Sequence, residues 1–220
     1  MNFQNLQDLT VYWLDDLNYG YFTPIQVKRW LNNAQLEVQK LLLQAHSNYY
    51  LYPVQTTLVV NQADYVLPQD FLKLHRLEVV NSGSPPNEDV SPLSPITLNQ
   101  QDLVPSHTGT PQFYFLKKSR IKCRPAPDTA LTMRLYYSYR VAEMTLSTDR
   151  PDVPEEYHEY LPVLAAIDGL IKDGRSIEPL LAKKTYYDTL MRQEAEERQE
   201  DAPRSIVTTG SDVVGAFGFF

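Results

Sequence analysis

The chain has 220 residues, 43% of them hydrophobic and 21% charged, with a formal net charge of −7. That is enough apolar material to bury a core, as one domain or two small ones, and it argues against wholesale disorder. The acidity argues against a protein whose main business is gripping nucleic acid, because that needs clustered Lys and Arg to displace counterions; an acidic wall instead lets DNA pass without holding it. Cys123 is the single cysteine, so neither a disulfide framework nor a thiolate metal cluster is expected. The opening MNFQNLQDLT has no basic flank and no apolar segment of a secretory leader. No stretch approaches the roughly 20 apolar residues that span a bilayer. A soluble protein made in a reducing cytoplasm is expected, with no membrane segment.

Leu6, Leu9, Trp13 and Leu17 recur at helical spacing until Gly20, which predicts a first helix. A second start signal follows in FTPIQV: Thr23 can cap, Pro24 takes the first helical position, and Gln26 can close a capping box. Phe22 and Val27 are placed as a hydrophobic staple across that cap. The helix then carries Val27, Trp30, Leu31, Ala34, Val38, Leu41, Leu42 and Ala45 on one face.

From Tyr49 the period changes to that of short strands, in YLYPVQTTLVV, DYVLP and FLKLHRLEVV, broken by Pro53, an NQAD turn and the Pro68–Asp70 corner. NSGSPPNEDVSPLSP reads as a long exposed loop at 81–95. FYFLKKSRIKCR predicts a hairpin turning at Lys118 and Ser119. LTMRLYYSYR predicts a strand with Leu131, Met133, Leu135 and Tyr137 on one face and Tyr136 on the other.

Helical spacing returns in PDVPEEYHEYLPVLAAIDGLIKDG, where Pro154 suits a start, Pro162 forces a kink or begins the helix proper, and Gly174 stops it. Leu161, Leu164, Ile167 and Ile171 are expected inside. A fourth helix, capped by Ser176, carries Ile177, Leu180, Leu181, Tyr187, Leu190 and Met191. Beyond Met191 its apolar stripe ends, so it is expected to project.

The expected fold is α+β. Helix pairs at 1–48 and 151–200 form a four-helix bundle, a small antiparallel β unit is inserted at 49–150, and 201–220 forms an extended tail. That tail ends in SDVVGAFGFF. Ile206, Val207, Val213, Val214, Phe217, Phe219 and Phe220 are the candidate docking residues, because apolar groups at a chain end gain nothing until something shelters them. Burying the last two valines and three phenylalanines contributes on the order of several kcal/mol at about 25 cal/mol per Å², less the cost of ordering a Gly-containing segment.

Among groups that carry chemistry, His46, His75, His107 and His158 form no metal-ligand spacing, and His158 reads as lying on a polar helix face. No cofactor is expected. Carboxylates in EEYHE, at Glu155, Glu156 and Glu159, permit an alternative reading as a hydrolase of cell-wall glycan, but that mechanism needs one buried carboxyl. A solvated helix face is the preferred reading, and the chain is read as not an enzyme. The basic run of Lys117, Lys118, Arg120, Lys122 and Arg124 beside Phe113, Tyr114 and Phe115 invites a nucleic-acid reading. Strand alternation is expected to send these side chains to opposite faces. A basic hairpin docking on an acidic neighbouring subunit is preferred. The fifteen tyrosines suit half-buried surfaces, and most are assigned to the β core and the helix seam.

The order LEVV…GTPQFYFLKKSRIKCRPAPDTALTMRLYYSYR…LSTDRPDVPEEYHEYLPVLAAIDGLIKDG resembles the head–tail connector (portal adaptor) proteins of tailed bacteriophages. The resemblance rests on the strand at Gly109–Tyr114, the turn at Pro125–Asp128, the strand end at Tyr136–Arg140 and the acidic helix start at Pro151–His158. It covers most of 1–200, and NSGSPPNEDVSPLSP departs from shorter members. It implies a structural virion protein at the portal vertex, forming a ring of twelve copies under the portal protein. Such a ring extends the DNA channel and offers a platform to a downstream tail or nozzle protein. The C-terminal segment would reach away to hold the portal.

Overall fold

The computed structural model describes residues 1–83, 85–100, 104 and 107–200, with side chains to residue 194 in the last helix. The first helix, α1 (Phe3–Trp13), starts where the Asn2 side chain accepts from the Asn5 N–H at 2.9 Å. It buries Phe3, Leu6, Gln7, Thr10 and Val11, and its stripe ends at the fully buried Leu14. Leu17 lies past the helix and is exposed, contrary to its predicted place on the apolar face. There the chain turns around Asp16, whose carboxylate accepts from the backbone N–H groups of Gly20 and Phe22, each at 2.8 Å. Those bonds, that from Phe22 foremost, hold its carboxyl below the usual range.

Helix α2 (Pro24–Ala45) begins with the predicted capping box: the Thr23 hydroxyl accepts from the Gln26 N–H, and the Gln26 side-chain Oε1 accepts from the Thr23 N–H at 3.0 Å. Phe22 and Val27, on either side of that cap, are both fully buried in one cluster. After a single 3₁₀ turn at Glu155–Tyr157, α3 (Tyr160–Asp173) has Pro162 within its first turn, where a missing N–H costs no helical bond. Gly174 closes it in the left-handed region at φ 70°. Helix α4 (Glu178–Glu200) follows, with the Ser176 hydroxyl accepting from the Glu178 N–H. Leu180 and Met191 of α4 are buried, and Tyr187 stacks on Tyr160 with ring centroids 4.9 Å apart.

The predicted four-helix bundle with a small antiparallel insert is not what forms. The described residues hold four helices and two four-stranded sheets, a mixed α+β arrangement. A bundle asks each helix for one apolar stripe around a shared seam. Here α3 is itself the core: ten of its fourteen residues are buried, and it packs against α1, α2 and α4. Apart from Asp168, only its C-terminal end is wet, and Ile171, predicted inside, lies there and is exposed. Gly169 lets α3 approach closely, since a Cβ there would sit 2.7 Å from a Leu14 methyl.

The β half is also larger than predicted. Strands β1 (Leu51–Thr57), β3 (Phe71–Ser82), β4 (Asp89–Pro92) and β8 (Thr132–Tyr139) make one sheet in the order β1-β8-β3-β4. Strands β2 (Asp64–Val66), β5 (Ser94–Pro95), β6 (Phe113–Lys117) and β7 (Arg120–Arg124) make the other in the order β2-β7-β6-β5. It is not wholly antiparallel, because β5 pairs with β6 in parallel. The stretch 81–95, expected as one exposed loop, contributes β4 and β5 and buries Leu93. Between the sheets lies a second apolar cluster, with Leu77, Val79, Met133, Leu135 and Tyr137 from one sheet and Tyr65, Ile121 and Cys123 from the other. Met133, Leu135 and Tyr137 alternate inward as expected, with Tyr136 on the opposite face.

A ladder of side-chain amides ties the helical half to the β half. From α2, the Asn32 amide donates to the Met144 carbonyl at 3.0 Å and accepts from the Met144 N–H at 2.8 Å. Gln35 donates to the Ala142 carbonyl at 2.8 Å and accepts from the Asp152 N–H at 3.0 Å. Gln39 donates to the Tyr139 carbonyl at 2.7 Å and accepts from the Val141 N–H at 3.3 Å. The chain leaving β8 thus pairs with amides spaced along one helix face instead of with another strand.

Candidate functional site

The β6–β7 hairpin turns at Lys118, with φ 52°, and Ser119, as the sequence predicts. Its register decides the chemistry of its two sides. Phe113 faces Arg124, Phe115 faces Lys122 and Lys117 faces Arg120 across the strands. Residues directly opposite share a face. Lys117, Arg120, Lys122 and Arg124 therefore lie together with Phe113 and Phe115 on one side, which corrects the expectation that alternation would disperse them. The other side turns Ile121 and Cys123 into the core between the sheets, where burial pushes the Cys123 thiol up to about 12.

On the basic side, the Lys122 ammonium sits 5.7 Å from the centre of the Phe115 ring, a cation–π contact over a buried aromatic. Lys117, Lys118 and Arg120 are exposed, and the buried Arg124 Nε has no hydrogen-bond partner. Among the described residues, no carboxylate pairs with any of these five cations. The result is a fixed positive surface on an acidic protein.

The acidic turn lies on the helical half. Glu155, Glu156 and Glu159 are all exposed, so none meets the burial that the glycan-hydrolase reading required of a general acid. Between them Tyr157 and His158 point inward. His158 is buried and not on a polar face: its Nε2 bonds the Val153 carbonyl at 3.0 Å and its Nδ1 lies 2.8 Å from the Met1 amine. Desolvation is the main cause holding its pKa below the ordinary histidine value. Tyr157 hydrogen-bonds Glu194, which fixes α4 against this turn. His75 is committed to Ser138 at 2.6 Å. Among the described residues no group of three His, Cys, Asp or Glu is placed to hold a metal ion. The predicted docking residues Ile206, Val207, Val213, Val214, Phe217, Phe219 and Phe220 lie outside the described residues.

The model of the SU10 adaptor protein family matches residues 1–210. The chain belongs to this family. The adaptor is thus a bacteriophage structural protein and a component of the virion, as its sequence suggested. Comparison with curated proteins gives no match. Among the described residues of the adaptor, no helix is long and apolar enough to cross a membrane.

Sequence reasoning missed two polar constellations of the adaptor. One is the amide ladder, whose trace is Asn32, Gln35 and Gln39 on the buried side of an otherwise apolar helix stripe. The other surrounds Glu78, buried on the outer face of the first sheet. Arg76 contacts its carboxylate at 2.6 Å, Arg134 at 3.1 Å, and the Tyr136 hydroxyl donates to it at 3.2 Å. Arg134 also reaches Glu88 at 2.8 Å, the contact that does most to raise its pKa, and so binds the segment before β4 to the sheet. A charged residue inside the run LEVV was the available signal.

Proposed function

We propose that this adaptor forms a ring of twelve copies under the portal protein, extends the DNA channel and presents a platform to the downstream tail or nozzle protein. The family match over 1–210 carries this reading. Residues 201–220 dock on the portal, with Val213, Val214, Phe217, Phe219 and Phe220 supplying the buried apolar area. Helix α4 is held by the Tyr157–Glu194 contact and runs to Glu200, the residue that precedes this segment. Repetition round a ring converts a modest gain per subunit into tight attachment. DNA passes without sequence-specific binding, consistent with the net charge of −7.

Deleting 201–220 is expected to leave a folded protein that no longer co-sediments with portal rings. Binding at wild-type strength by the truncated chain would overturn the tail assignment. Negative-stain images of adaptor mixed with portal are expected to show an added twelvefold layer.

A further inference from the structure

We propose that the basic face of the β6–β7 hairpin is one half of a self-interface, and that its occupant is the acidic 3₁₀ turn of a second copy of this chain. Five of the chain's twenty lysines and arginines fall at 117–124, and the strand register turns four of them to one side. Because no carboxylate of the described residues answers them, their charge is available to a partner. The aromatics of this face do not make a base-stacking platform, since Phe115 is buried beneath Lys122. What the face offers is charge in a fixed array.

The complementary array is on the same chain. Glu155, Glu156 and Glu159 are exposed and unpaired by any salt bridge, while the inward-facing Tyr157, His158 and Tyr160 anchor the turn that holds them. The two surfaces sit on different cores, the hairpin on the cluster between the sheets and the turn on the cluster around α3. Two unlike patches that fit each other form a head-to-tail contact, which propagates as a ring or a filament instead of closing as a twofold dimer. The inference rests on the ring reading above and names the side chains that would join neighbours.

The test uses the full chain without portal. Equal amounts of unlabelled and nitrogen-15-labelled protein are coupled at low ionic strength with a water-soluble carbodiimide, which joins lysines to carboxylates in contact, and cross-linked peptides are read by mass spectrometry. Mixed-isotope links between Lys117, Lys118 or Lys122 and Glu155, Glu156 or Glu159 are expected. Reversing part of the hairpin (Lys117→Glu, Arg120→Glu), which leaves Lys118 and Lys122 as amines, or part of the turn (Glu155→Lys, Glu159→Lys), which leaves Glu156 as the carboxylate, should each lower mixed-isotope hairpin-to-turn coupling of the remaining groups by about tenfold or more. An equal mixture of the two reversed proteins should regain it, because each then carries the sign its neighbour lacks. Absence of hairpin-to-turn links in the wild type, their survival in either reversed protein, or failure of the mixture to regain them overturns the proposal. Retention of the wild type on duplex DNA, lost in the hairpin variant and unaccompanied by such links, would assign the face to nucleic acid instead. A failed tail-deletion test leaves this result standing, and the absence of links leaves the tail assignment standing.

Discussion

Replacing Gln39 by leucine removes one rung of the ladder that joins the two halves of the molecule. The side chain is 2% exposed and serves two backbone groups, the Tyr139 carbonyl at 2.7 Å and the Val141 N–H at 3.3 Å. Val141 is buried, so its orphaned N–H retains most of a desolvation penalty of about 1–3 kcal/mol, while the half-buried Tyr139 carbonyl adds about 1 kcal/mol. Leucine returns about 1 kcal/mol through apolar burial. The net loss is about 1–3 kcal/mol, a large share of the roughly 5–15 kcal/mol that holds a typical domain together. For a chain of this size it lowers Tm by roughly 2–12 °C. Urea unfolding followed by the fluorescence of Trp13 and Trp30 should show a lower midpoint with an unchanged slope. Gln39→Glu keeps the acceptor for Val141 but sets a carboxylate against the Tyr139 carbonyl, and should lose at least as much at neutral pH. A Gln39→Leu protein within about 0.5 kcal/mol of wild type would refute the ladder as the joint between the halves.

Gly169→Ala should destabilise by about 1–2 kcal/mol in the same unfolding assay, because crowding of Leu14 and Trp30 outweighs a helix-propensity gain of about 1 kcal/mol; a more stable variant would show that α3 has room to move. His158 has a folded-state pKa below its unfolded value near 6.5. The unfolded chain therefore takes up the proton more readily, and the stability His158 contributes is present above about pH 6.5 and lost as pH falls through the folded value. The urea midpoint should drop between about pH 7 and 5, and His158→Gln should flatten that drop; an unchanged pH profile would contradict it. Cys123 is fully buried with its thiol pushed up to about 12, so a thiol reagent should label it only through unfolding, at a rate that climbs with urea; fast labelling of the native protein would place the thiol nearer the surface.

What could be read from the sequence was what neighbours along the chain encode. The capping box at Thr23 and Gln26, the stop at Gly174, the hairpin turn at Lys118 and the inward parity of Met133, Leu135 and Tyr137 each depend on residues within a turn or one strand of each other. The candidate site was half visible: the five cations were plain, but not the face they share. That face depends on the pairing of β6 with β7, and a shift of one residue would scatter the same side chains.

Tertiary structure alone settled how the elements combine. It made α3 a core in its own right where helical spacing suggested one stripe among four. It drew β4 and β5 out of a Pro- and Ser-rich stretch, and it turned three amides of α2 toward backbone groups roughly a hundred residues away. These outcomes follow from contacts between segments far apart in sequence, where many pairings satisfy the same local pattern and only the packed whole brings buried amides such as Gln35 and Gln39 to their backbone partners.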